Sequence, residues 1–182
     1  MIALTLELIL DLYDRHGDLA YSGEGVSQRE HALQAAALAE RTDAAPALIV
    51  ASLLHDLGHL IHRLGDTPSA RGIDDRHQEE AADALVHLFG EAVSEPIRWH
   101  VDAKRYLCLA DPDYENRLSP DSRRSLILQG GPFDAAHASR FIARAYANDA
   151  IAVRHWDDAA KRSGLRTPTF EHFVPLMRHC VR

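Results

Sequence analysis

Residues 46–59 read Pro46-Ala-Leu-Ile-Val-Ala-Ser-Leu-Leu-His55-Asp56-Leu-Gly58-His59. Proline suits the first turn of a helix, where its missing N–H is no loss. The segment from Pro46 to Leu57 is strongly apolar, and Gly58 falls just after it. This spacing predicts a core helix. Inside the apolar run from Ile49 to Leu60 stands an adjacent histidine and aspartate. A buried carboxylate facing imidazoles is costly unless something compensates it. The stretch therefore raises the question that the rest of the chain has to answer.

Working outward, helical spacing recurs on both sides. Leu6, Ile9, Leu10 and Tyr13 share one face of a segment from Ile2 to Arg15, with Gly17 as its stop. Asp18–Ser27 reads as a glycine-bearing loop. Ser27 and Glu30 then have the spacing of a capping box and open a helix from Gln28 to about Arg41. Residues 64–75 read as a long loop. Arg76–Phe89 is helical, ending at Gly90. Pro96 opens a helix to about Leu107, and residues 110–118 form a polar loop. Ser119-Pro120 caps a short helix that closes at Gly130-Gly131-Pro132. Phe133–Arg162 carries helical periodicity with one break near Asn148, and Gly164 stops it. Thr169 caps a last helix bearing Phe173, Leu176, Met177 and Cys180. No period-2 run appears. The expectation is an all-α fold, a single helical bundle over 1–182.

Composition narrows the function classes. The chain has 182 residues, 46% hydrophobic and 26% charged, which is ordinary for a globular protein. Lys+Arg total 20 against Asp+Glu 27, a net charge of −7, and no basic block appears, so no nucleic-acid partner is expected. The longest apolar runs fall short of a membrane span. The N-terminus lacks a positive region and a cleavage pattern. Two isolated cysteines, Cys108 and Cys180, suit a reducing compartment, so a cytoplasmic location is expected. The 12 histidines are the unusual count, and they form no terminal tag.

A lone buried histidine is ordinarily a hydrogen-bonded core residue. Here several helices repeat the pattern. His31 begins one helix. His55 and Asp56 lie in the apolar run. His77 shares the face of Ala81, Ala84 and Leu88. His100 shares the face of Ile97 and Val101. Asp157 shares the face of Tyr146, Ala150, Val153 and Ala160. Metal ions draw neutral imidazole and ionised carboxylate as ligands. Four histidines and two aspartates can serve two metals if one carboxylate bridges them, and Asp56 is the natural bridge. Three groups stand one helical turn from a ligand: His59 after His55, Lys104 after His100 and Arg154 before Asp157. They would ring the metals with charge suited to a doubly charged anion. Asp149, eight residues before Asp157, is expected to orient a ligand imidazole. Asp158 is a weaker rival ligand. His62, His87, His137, His155, His172 and His179 are expected to be surface or locally bonded.

The order His31, His55-Asp56, His77, His100, Asp157 resembles the HD-domain superfamily of all-helical metalloenzymes, across His31 to Asp157. Most members are phosphohydrolases. Two segments are similar instead to a subgroup of mixed-valence di-iron oxygenases that degrade organophosphonates. They are Tyr21-Ser-Gly-Glu24-Gly-Val-Ser-Gln-Arg-Glu-His31 and Arg154-His-Trp-Asp157-Asp-Ala-Ala-Lys161. His59, Lys104 and Ser122 fall where that subgroup holds phosphonate, and Arg154, one turn before Asp157, is expected to join them.

The resemblance implies two iron ions as Fe(II)/Fe(III), with O2 as co-substrate. One iron would be held by His31, His55, Asp56 and Asp157, the other by Asp56, His77 and His100 with positions left open. Tyr21 would occupy the second iron until substrate displaces it, and Glu24 would move to the substrate. The implied reaction cleaves the C–P bond of a 1-hydroxy-2-(amino or trimethylammonio)ethylphosphonate, giving phosphate and glycine or glycine betaine. For a trimethylammonium end, Tyr21, Tyr106, Trp99 and Phe133 are available as a cation–π cage. The alternative is an HD-domain phosphohydrolase acting on a nucleotide or phosphomonoester. A silent ligand-binding module is a weaker reading, because it has no need of all six ligands.

Overall fold

The computed structural model describes residues 4–62, 64–65 and 67–182. Ile2, Arg63 and Asp66, which the sequence reading placed in the first helix and around the long loop, lie outside these residues. Among the described residues the chain is helical, with a single isolated bridge between Ala20 and Ser27.

The helices are α1 (Leu6–His16), α2 (Gln28–Arg41), α3 (Pro46–Leu54), α4 (Gly58–Ile61), α5 (His77–Phe89), α6 (Glu91–Ala110), α7 (Tyr114–Arg117), α8 (Pro120–Leu128), α9 (Ala135–Ile142), α10 (Ala147–Ala159) and α11 (Phe170–Cys180). A 3₁₀ turn, Pro68–Arg71, interrupts the expected long loop.

Helix α3 is the axis of the bundle. Val50, Ala51, Ser52, Leu53 and Leu54 are buried in succession, so every face of the helix is covered. Helices α2, α6, α10 and α11 pack around it. Ile9, Tyr13, Ala36, Leu85, Ile97, Val153, Phe173 and Met177 complete one core with its residues. A smaller cluster of Ala103, Phe133, Phe141 and Ala147 joins α6, α9 and α10.

Local signals explain several boundaries. Ser27 Oγ accepts from Glu30 N–H and Glu30 Oε2 accepts from Ser27 N–H, a complete capping box. Ser119 Oγ accepts from Ser122 N–H ahead of Pro120. Thr169 stands at the N-cap of α11 without a side-chain bond. The helix expected at Pro96 starts earlier, at Glu91, because Gly90 at φ 79° turns the chain directly from α5 into α6. Pro96 lies inside α6 with one fewer N–H to donate. The break expected near Asn148 falls at residues 143–146, ending on Tyr146 at φ 63°.

The His-Asp pair occupies a turn rather than a helix interior. After Leu54 the bonds tighten to the i→i−3 pattern, Leu57 N–H to Leu54 O and His59 N–H to Asp56 O. The His55 ring donates to the Ser52 carbonyl, one of the acceptors left free where α3 ends. The chain then enters α4 at Gly58. A Cβ on Gly58 would sit 2.1 Å from the carbonyl oxygen and 2.7 Å from the Cα of His77. Only glycine allows the start of α5 to approach the turn this closely. At the far end, Gln34 clamps the segment after α10 to α2. Its Nε2 donates to Arg162 O, and its Oε1 accepts from Arg162 N–H.

Gly58→Ala is expected to force α5 away from the turn and to destabilise the protein by roughly 1–3 kcal/mol, the usual range for overpacking. The measurement is the urea midpoint at constant m-value. An unchanged midpoint would show that the contact with His77 does not constrain the fold.

Candidate metal centre

Four helices and the turn between α3 and α4 bring the six predicted ligands together. His31 lies in α2, His55 and Asp56 in the turn before α4, His77 at the first residue of α5, His100 in α6 and Asp157 near the end of α10. None is more than 8% exposed.

The Asp56 carboxylate stands between two groups. Its Oδ2 lies 3.5 Å from Nε2 of His31 and 3.3 Å from Nε2 of His55. Its Oδ1 faces the other way, 3.3 Å from Nε2 of His77 and 3.7 Å from Nε2 of His100. Asp157 Oδ1 lies 3.4 Å from Nε2 of His31. The donor atoms of His31, His55 and Asp157 all fall within 4.8 Å of one another, as do those of Asp56, His77 and His100. One carboxylate thus offers an oxygen to each of two ligand groups.

The imidazoles are held in the form that metals bind. His31 Nδ1 bonds the Ala160 carbonyl at 2.9 Å, His55 Nδ1 the Ser52 carbonyl at 2.9 Å and His100 Nδ1 the Ile97 carbonyl at 2.7 Å. His77 Nδ1 bonds Asp75 Oδ1 at 2.8 Å. Carbonyls and carboxylates only accept, so each Nδ1 carries a proton and each Nε2 is turned toward the centre.

Electrostatics largely agree. Burial pushes the His31 and His100 pKa values down, with His77 and His55 adding repulsion at His100. Burial opposes ionisation of Asp56, but His55 and the bonds from His31 and His55 hold its carboxyl well below the ordinary range. Burial likewise opposes Asp157, which Arg154 and Lys161 hold low. His55 differs. Despite burial, Asp56 raises its pKa to about 9, so metal binding would release a proton there. Asp157 Oδ1 is buried without a hydrogen-bond partner. An orphaned carboxylate oxygen facing an imidazole lone pair, beside a bridging carboxylate, fits a pair of cations. The all-N/O donor set suits iron, manganese or zinc.

A cavity of about 40 Å³ adjoins the centre, lined by Tyr21, Asp56, His59, Lys104, Ser122 and Arg154 among others. Lys104 is 2% exposed. Its Nζ donates to Ser125 Oγ at 2.8 Å and Ser122 O at 3.4 Å, and it makes no ion pair among the described residues. Burial, with Arg154 adding repulsion, pushes its pKa down to about 7.

Arg154 is more committed than the sequence suggested. Nη1 pairs with Asp157 Oδ2 at 2.8 Å, Nη2 with Asp158, and Nε with the Tyr114 hydroxyl at 2.9 Å. Only Nη2 also reaches Ser122 Oγ, at 3.4 Å. Arg154 therefore supports a ligand as well as bordering the cavity.

The Tyr21 hydroxyl donates to Asp56 Oδ2 at 2.8 Å, and its ring stacks on His31 at 3.9 Å. Burial first, then Asp56 and Asp157, raise its pKa well above the usual value, so it keeps its proton. It meets the bridge on the side of His31 and His55 rather than that of His77 and His100, where the resemblance put it. Glu24 does not line the cavity. Its N–H closes the turn onto Tyr21 O at 2.8 Å.

Other expectations are corrected. Asp149 sits in the first turn of α10 and touches no ligand imidazole, because all four rings are tethered elsewhere. Asp158 pairs with Arg154 and Tyr114, away from the ligand groups. The aromatic cage does not form from the four residues considered. Trp99 lies under Arg144, Phe133 under Arg105, and Tyr106 against Phe141, leaving Tyr21 alone at the cavity. Sequence reading missed Asp75, whose loop position carried no periodicity. It also assigned no role to Lys161, whose Nζ lies 3.3 Å from Ser122 Oγ and 3.8 Å from Asp157 Oδ1. The spacing of one turn after Asp157 could have found it. No helix among the described residues is long and apolar enough to cross a membrane.

The HD domain family matches residues 29–129. The chain is 41% identical over 176 residues to a [1-hydroxy-2-(trimethylamino)ethyl]phosphonate dioxygenase (glycine-betaine-forming) of Leisingera caerulea, covering 97% of this chain and 90% of the relative. It is 40% identical over 174 residues to a hydroxymethylphosphonate dioxygenase of Gimesia maris, covering 95% and 86%. An uncharacterised protein of Acanthamoeba polyphaga mimivirus is 32% identical over 179 residues, covering 97% and 81%. With its ligand residues gathered as described and this likeness along nearly its whole length, the chain belongs to the HD domain family.

Proposed function

We propose that this chain, as a single domain over 1–182, is an O2-dependent di-iron oxygenase that cleaves the C–P bond of a small 1-hydroxyphosphonate. The observation that carries the reading is Lys104, a buried amine without a counter-ion among the described residues, at the wall of a cavity that also reaches Asp56, His77, His100 and Asp157. Such a group is a receptor for an anion. The substrates named for the two dioxygenase relatives share a hydroxyl on the carbon bonded to phosphorus. The overall change takes R–CH(OH)–PO3²⁻ and O2 to a carboxylate, phosphate and one proton.

Two iron ions, one Fe(II) and one Fe(III), would supply O2 binding and its reduction, with Asp56 as the shared ligand. The protein supplies position and charge. Lys104 and Ser122 hold phosphonate oxygens, with the Nη2 edge of Arg154 beside them. A bound dianion would restore the full charge of Lys104. His59 adds a donor from the opposite wall. Burial opposes its protonation, but its bond to Asp75 and the Asp56 charge raise its pKa.

Tyr21 acts as the gate. The 40 Å³ cavity holds only a few water molecules, so a substrate has to displace the tyrosine hydroxyl from Asp56. Ser22, Gly23 and Gly25 have positive φ, and nothing lies within 4 Å of a Cβ at either glycine, so the turn has room to swing. Glu24 rides on that turn and would reach the substrate as it closes.

Four results test this reading. Wild-type protein loaded with iron is expected to release phosphate from hydroxymethylphosphonate or its trimethylaminoethyl analogue in air and to stop under strict anaerobiosis. Full anaerobic turnover would move the assignment to a phosphohydrolase. Asp56→Ala is expected to bind neither iron, by metal analysis, because it serves both groups. Retention of two ions per chain would refute the bridge. Lys104→Ala is expected to keep its iron and raise KM about tenfold to a hundredfold, the scale of one charge-assisted hydrogen bond. Arg154→Ala is expected to lose iron as well, since it also holds Asp157. Iron loss in Lys104→Ala with an unchanged KM would remove Lys104 from the anion site.

A further inference from the structure

Asp75 meets three histidines of different standing. Its Oδ1 accepts from Nδ1 of His77, a candidate ligand of the second group, at 2.8 Å. Its Oδ2 lies 3.0 Å from Nδ1 of His59 and 3.2 Å from Nε2 of His62, and those two ring nitrogens are 3.2 Å apart. The Asp75 side chain is 9% exposed, and those of His59, His62 and His77 are 13%, 5% and 10% exposed. The rings of His59 and His77 stack at 4.1 Å and 23°. Asp75 sits just ahead of α5, and its Oδ1 also lies 3.4 Å from the His77 amide.

We propose that Asp75 is a positioning residue that sets metal retention at the Asp56–His77–His100 group and anion binding by His59 together, through the two oxygens of one carboxylate. The inference rests on the reading of His59 as a substrate contact. The contrast with the other ligands is what singles Asp75 out. His31, His55 and His100 are tethered to backbone carbonyls, which no side-chain change removes. His77 alone hangs on a side chain. His59 hangs on the other oxygen of the same group, with its Nε2 3.9 Å from the bridging Asp56. A shift of Asp75 would turn both rings at once, and the stack between them leaves little room for one to move alone. His59, Asp75 and His77 could also be viewed as a third ligand group. Their 2.8 and 3.0 Å contacts have the length of N–H···O bonds rather than of donors spread around an ion.

The experiment compares wild type with Asp75→Ala, the isosteric Asp75→Asn and, as the control, His87→Ala at an exposed histidine on the same helix as His77. Fe(II) stoichiometry and retention are read by competition with a chelator. Binding of methylphosphonate to the iron-loaded protein is read by calorimetry. Asp75→Ala is expected to hold one of two ions about tenfold to a hundredfold more weakly. At saturating iron, it is expected still to bind methylphosphonate at least tenfold more weakly. Asp75→Asn, which keeps one acceptor, is expected to fall between wild type and Asp75→Ala, and His87→Ala to match wild type. If Asp75→Ala fails to fold by circular dichroism, the Asn variant decides: parallel losses in iron retention and anion binding support the coupling. Wild-type iron retention in the variants, loss of one property without the other, or a third ion per chain in wild type would overturn it. If wild type turned over no phosphonate, the functional reading would fall, while the chelator arm would still report on Asp75 and His77.

Discussion

One carboxylate surrounded by imidazoles organises this molecule. Asp56 is 5% exposed and has a histidine Nε2 within 3.7 Å on each of four approaches. Burying such a group alone would be prohibitive. It is made tolerable by the protons of its neighbours or, better, by cations that both its oxygens can share. The fold serves this requirement. The all-round apolar α3 fixes where the turn lies, the glycine at 58 lets α5 start against it, and the clamp of Gln34 on the chain after α10 sets Asp157 opposite. Each of the four histidines is then locked by a bond on its Nδ1, so four helices and the turn after α3 present ring nitrogens and negative charge to a common point.

The anion side follows a different logic. A buried lysine with only hydroxyl and carbonyl partners weakens the fold, and its pKa near 7 expresses that. Arg154 shows the opposite arrangement, with Asp157 and Asp158 saturating most of its donors. One cation is thus without an acidic partner among the described residues while the other is braced by two aspartates, although both stand one turn from a candidate metal ligand in sequence. Packing alone would favour an apolar side chain at Lys104.

Much of this was legible in the sequence. The helical class followed from spacing and caps, and the gathering of six candidate ligands from histidines and aspartates recurring on apolar faces. What escaped had physical reasons. The pair His55-Asp56 was read as helical because an apolar run hides the tightening of hydrogen bonds that ends α3 at Leu54. Pro96 marked a start that Gly90 had already made. Asp149 shared a face with Asp157 yet lies at the other end of α10, because periodicity gives direction but not depth. Asp75 could not be found by periodicity at all: it precedes α5, and its partners lie on either side of it in the chain. The aromatic residues offered as a cage went to arginines and to each other, since composition says nothing about which wall a ring joins.

The tethers on the ligand rings have a consequence for how such a site varies over generations. A carbonyl of the main chain is present whatever residue carries it, so drift at Ala160, Ser52 or Ile97 leaves the hydrogen bond in place while the backbone path is kept. Three of the four imidazoles are thereby insulated from heritable change in their supports. The fourth is not, because a single nucleotide substitution in the codon for residue 75 can remove its acceptor. Heritable change in how an imidazole is supported is therefore channelled to His77, while the supports of His31, His55 and His100 are shielded from it.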